Sequence, residues 1–138
     1  MKNFVLTSQM LTMSGIFYPK GYVFIMFKNA ADAEQVAREL ENNSGSDGDA
    51  TSSAMVLSPQ TVLRDIGKIE GNSDVALPSV GTEGATVRKY VDLAREGHSA
   101  LMIKVGSDKE AERIMVAARK VPFSYGQRYH LLAIEDLE

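Results

Sequence analysis

The sequence predicts an α+β fold, and three observations carry that prediction. Two apolar, β-prone runs, Tyr22–Phe27 and Ser99–Val105, are each followed by a helical pattern with a capping residue at its start. A short strand pattern follows each helix, at Ala54–Leu57 and at Tyr129–Ile134. The two units also resemble each other: FIMFKNAADAEQV from Phe24 aligns with MIKVGSDKEAERI from Met102, placing Ile25 over Ile103, Ala33 over Ala111 and Glu34 over Glu112. Two strand–helix–strand halves in one small chain point to a ferredoxin-like βαββαβ sandwich, with a helical insertion (residues 59–97) between core strands 2 and 3.

Each element has a local reason. Tyr18-Pro19-Lys20-Gly21 reads as a turn with Pro second and Gly fourth. Ile16 and Phe17 before it could pair as a short hairpin with the strand Tyr22–Phe27. Asn29 caps the first helix, whose Ala33, Val36, Ala37 and Leu40 form one apolar stripe. Asn42–Ser53 is a polar, Gly-rich loop. Ser58 and Pro59 open a short helix with Val62, Leu63 and Ile66 inward. Gly71–Gly84 reads as a second loop, and Thr82 as the cap of a helix over Ala85–Glu96. In that helix Val87, Tyr90, Val91 and Ala94 share a face, and Gly97 stops it. Ser107 and Glu110 form a capping box for a helix carrying Ala111, Ile114, Met115 and Ala118 inward.

A chain of 138 residues with 44% apolar and 24% charged residues suits one soluble domain, residues 1–138. Its lack of cysteine excludes disulfides, thiolate nucleophiles and Cys-bound metals. No apolar run is long enough to span a bilayer, and the N-terminus lacks a signal-peptide core, so a cytoplasmic location without membrane contact is expected. A net charge of −3 counts against a large nucleic-acid footprint.

KGYVFIMF, from Lys20, nonetheless follows most of the sheet signature of RNA-recognition motifs: Lys20, Gly21, Tyr22, Phe24, Ile25 and Phe27 fit, and Val23 departs. That signature belongs on a third strand, whereas only nineteen residues precede Lys20. The segment is therefore expected to be the first core strand. Val23, Ile25 and Phe27 then point one way, and Tyr22, Phe24 and Met26 the other. With helices on one face only, Tyr22, Phe24, Met26 and Met102 would form an open apolar surface needing cover. A second copy is the preferred cover, giving a homodimer. The inserted helices are the second, and stacked bases or a small molecule the third.

The segment Thr82–Val121 resembles the C-terminal half of bacterial general-stress (heat-induced stress) proteins. Glu83, Tyr90, Arg95, Gly97, Leu101–Val105, Asp108 and Ala111-Glu112-Arg113 carry the likeness, and Tyr22–Leu40 suits that family's first unit. The resemblance implies an α+β fold and a stress association, and no established chemistry.

The candidate chemistry is sparse. Two histidines with no patterned carboxylate make no metal site, and no nucleophile or triad partner is fixed by spacing. Neither a catalytic residue nor a cofactor is assigned. The densest polar and aromatic cluster lies at Tyr125–His130; its Arg128, Tyr129 and His130, with His98, are the candidate rim of a pocket for a small-molecule effector. The sequence thus favours a non-enzymatic regulatory or stress-linked binding module, dimeric through its sheet. The alternatives are a single-stranded RNA binder using Lys20, Tyr22 and Phe24, and a small enzyme on a dimeric α/β-barrel with an enclosed polar pocket around His98 or His130.

Overall fold

The computed structural model describes residues 4–11, 17–43, 54–67, 81–130 and 134–137. Its elements in chain order are β1 (Tyr22–Phe27), α1 (Ala30–Asn43), β2 (Met55–Leu57), α2 (Pro59–Thr61), α3 (Gly81–Arg95), β3 (Ser99–Lys104), α4 (Asp108–Ala118), β4 (Phe123–Tyr129) and β5 (Ile134–Asp136). The five strands form one antiparallel sheet in the order β2-β3-β1-β4-β5. The protein is therefore α+β. Among the described residues, no helix is long and apolar enough to cross a membrane.

Period-two alternation divides the sheet into two apolar faces. Val23, Ile25, Phe27, Leu101 and Ile103 face α1 and α4, meeting the stripes Ala33, Val36, Ala37, Leu40 and Ala111, Ile114, Met115, Ala118. Asn29, Ser58 and Ser107 cap as their sequences predict, whereas Thr82 lies inside α3 and is not its cap. Asp32 N–H donates to Asn29 Oδ1 at 2.9 Å, and Glu110 N–H to Ser107 Oγ at 3.2 Å. Glu110 Oε1 in turn accepts from Gly106 N–H at 2.6 Å, closing the α4 cap from both sides.

The second face corrects the expectation of an open surface. Phe24, Met26 and Met102 are fully buried within the single chain. They pack with Val62 and Ile66 from the segment after α2, and with Val87, Tyr90, Val91 and Ala94 of α3. Helices therefore cover both sides of the sheet. The geometry explains how. Leu57 ends β2 beside Ala100 near the start of β3, so the segment between the strands leaves and re-enters at the same end of the sheet. Its helices can then fold back across Ala100, Met102, Phe24 and Met26. Burying each large apolar side chain of this face contributes about 1.5–3 kcal/mol, which favours holding α3 down.

Several boundaries differ from the sequence reading. Val62–Ile66 continues α2 as a π-turn, with Gly67 N–H donating to Val62 O at 2.9 Å. Gly81–Gly84 belongs to α3 rather than to a loop. The turn before β1 falls one residue later than its composition suggests. Tyr22 N–H donates to Pro19 O at 3.1 Å, and Gly21 takes the positive φ of 83° at the third turn position. Phe17 bridges Leu11 instead of β1, while Ile16 lies outside the described residues. The expected strand Tyr129–Ile134 is two strands: β4 ends at Tyr129, β5 starts at Ile134, and residues 131–133 lie outside the described residues. Much of the two expected loops, residues 44–53 and 71–80, lies there too.

Candidate ligand-binding site

β4 presents different chemistry on its two sides. Tyr125 and Tyr129 face α3 and join the second core, while Arg128 reaches toward the start of α4. Gly126 sits where β5 leads into Leu137. Leu137 N–H donates to Gly126 O at 3.0 Å, and a Cβ on Gly126 would lie 3.2 Å from Leu137 Cβ. A glycine inside a strand here marks the close approach of a neighbouring backbone.

A cleft of about 570 Å³ opens between α4 and the β4–β5 pair. One wall is a helical stripe, Asp108, Glu112, Met115 and Arg119. The facing wall is Arg128, His130, Glu135 and Leu137. Arg128 Nη1 donates to Asp108 Oδ1 at 2.7 Å, Arg119 Nη1 donates to Glu112 Oε2 at 3.0 Å, and His130 Nε2 lies 2.9 Å from Glu135 Oε1. The Arg128 side chain is only 14% exposed, whereas Asp108 is 94% exposed. The cleft holds the carboxylates of Asp108, Glu112 and Glu135 against two guanidiniums and one imidazole, while the Asp136 carboxylate turns to the other face and accepts from Gln127 Nε2 at 2.6 Å. Among the described residues, no group of three or more His, Asp or Glu side chains is placed to hold a metal ion.

The structure thus brings together two of the four candidate rim residues, Arg128 and His130. Tyr129 points to the other side of the sheet, where its hydroxyl lies 2.7 Å from that of Tyr90 in the buried core. Burial raises the pKa of both phenols, because the phenolate loses its hydration there. His98 lies near the start of β4, with Nδ1 2.7 Å from Ser124 Oγ and Nε2 3.8 Å from Glu96 Oε1. Ser124 is the extra residue of a β-bulge, since Met26 opposes Tyr125 and Phe27 opposes Phe123. Four steps along β4, roughly 13 Å, take the strand from Ser124 to Arg128. His98 is therefore no part of the cleft.

Sequence reasoning missed Asp108, Glu112, Arg119 and Glu135. The first three sit at i, i+4 and i+11 on one face of α4, a spacing visible in the sequence once that face is known to border a cleft.

The candidate nucleic-acid strand has its central ring enclosed. Phe24 lies 5.5 Å from the Phe17 ring, edge-on, and 4.3 Å from that of Tyr90, while Lys20 is exposed and Tyr22 half-buried. A base could reach Phe24 only by displacing Tyr90.

No family model, curated protein or solved structure matches the chain.

Proposed function

We propose that the protein is a non-enzymatic binding module that takes a small charged ligand in the cleft between α4 and the β4–β5 pair. The observation that carries this reading is the convergence of Arg128, His130 and Glu135 with Asp108, Glu112 and Arg119 around one concave volume. Pockets of this size that offer a few placed polar groups suit small molecules. The strand order β2-β3-β1-β4, with α1 and α4 on one face, supports a ferredoxin-like reading in which α2 and α3 are an insertion between β2 and β3. A regulatory, stress-linked role rests on the resemblance of Thr82–Val121 alone. The burial of Phe24, Met26 and Met102 under α3 favours a role carried by the cleft over one carried by the sheet face.

A screen of charged metabolites by ligand-observed NMR tests the reading, with a variant carrying both Arg128→Gln and His130→Gln as control. Circular dichroism first establishes that the variant is folded. We expect binders whose signals vanish with the variant. Binders that persist on it would place the site elsewhere.

A further inference from the structure

Resting on that reading of the cleft, we propose that its ligand is a zwitterion of amino-acid type with an aliphatic side chain, its carboxylate taken by Arg128 and its ammonium by Glu135. Arg128 and Glu135 are direct partners across β4 and β5. Residues so placed on an antiparallel pair have Cβ atoms about 5 Å apart. That spacing suits the two charged ends of an α-amino acid. Yet neither residue uses the other. Arg128 bonds Asp108, and Glu135 bonds His130.

Both present partners are easy to replace. Asp108 is almost wholly exposed, so its carboxylate exchanges the guanidinium for water at little cost. Arg128 is mostly enclosed and gives Asp108 one of its five N–H donors; a ligand carboxylate could take two. The ligand thus substitutes one carboxylate for another. At Glu135, an ammonium with three N–H donors replaces the single contact from His130 Nε2.

The sign of the cleft selects the zwitterion. A ligand bearing only negative charge would meet Asp108, Glu112 and Glu135. A ligand bearing only positive charge would leave Arg128 held by Asp108 and its remaining donors unused. Ala111, Met115 and Leu137 add an apolar lining for the side chain.

Titration calorimetry of the full chain with L-leucine, N-acetyl-L-leucine and L-leucinamide tests the proposal, since each derivative removes one charge and leaves the side chain intact. Leucine should bind, and each derivative at least roughly tenfold more weakly, because each forfeits a charged hydrogen bond. Asp108→Asn, which removes the internal competitor, should tighten leucine binding severalfold. Either derivative binding as tightly as leucine overturns the ligand class. So does the absence of heat with millimolar leucine while other charged molecules still bind at the cleft. If no charged molecule binds there, the cleft reading falls, and this inference with it.

Discussion

The hydroxyls of Tyr90 and Tyr129 meet at 2.7 Å in the core, joining α3 to β4. The bond matters because of what it spans. α3 enters the sheet at β3, while β4 lies on the far side of β1. The Tyr90 ring also lies against Phe24 of β1 and Tyr125 of β4. One helix thus seals three strands, and its polar anchor sits at the far strand.

Removing either hydroxyl leaves the other without its buried partner. We expect Tyr90→Phe and Tyr129→Phe each to lower stability by about 1–3 kcal/mol, and the double variant to lose clearly less than the sum. Urea unfolding of all four proteins measures this. Simple additivity would mean that the two phenols do not act as a pair.

Alkaline pH should probe the same pair. Burial raises both tyrosine pKa values above those of the unfolded chain. Below about pH 10, the ordinary tyrosine value, both states keep these protons and the pair's contribution is intact. Above it, the unfolded chain releases protons that the folded chain retains. Stability then falls as pH rises, by up to about 1.4 kcal/mol per pH unit for each tyrosine. A variant with both tyrosines changed to Phe should show a shallower decline between pH 10 and 11. An unchanged slope would mean that neither phenol is protected.

Gly97 ends α3 with a φ of 93°, and its own N–H and that of His98 return to Ala94 O and Leu93 O. Nothing lies within 4 Å of a Cβ added there. The cost of Gly97→Ala should therefore be backbone strain alone, about 1–2 kcal/mol, and smaller for Gly97→Asn. Denaturant midpoints of the two variants check the order, and an Ala variant as stable as the parent would contradict it.

Phe24→Ala should cost about 3–5 kcal/mol, because it opens a cavity between Phe17 and Tyr90, whereas Lys20→Ala should stay within about 0.5 kcal/mol. Thermal unfolding separates the two. A small loss at Phe24 would restore the picture of an exposed aromatic platform.

Much of this fold was legible. The caps Asn29, Ser58 and Ser107 and the inward stripes of α1, α3 and α4 follow from local rules, and the alternation along β1 assigned each side chain to its face. The cover of the second face was not. The stripe Val87, Tyr90, Val91 and Ala94 announces that α3 buries a side, but periodicity carries no address, and two-faced cover departs from the simplest sandwich. β4 was hidden in part for another reason. Its Ser124, Gly126 and Arg128 line a bulge, a close crossing and a cleft, so the residues before Tyr129 read as a polar and aromatic cluster and the strand pattern starts six residues late. Arg128 and His130 were recognisable by type and alternation. Their carboxylate partners Asp108 and Glu135 come from elements whose docking no spacing rule supplies.

The most direct test of the central claim is an ¹⁵N-labelled NMR titration with L-leucine. If the cleft is the ligand site and α3 seals the sheet, shifts should cluster at Asp108–Glu112, Arg128–His130 and Glu135–Leu137, and leave Phe24, Met26 and Met102 unmoved. Shifts centred on those three core residues, or spread along Lys20–Phe24 with the cleft silent, would contradict it.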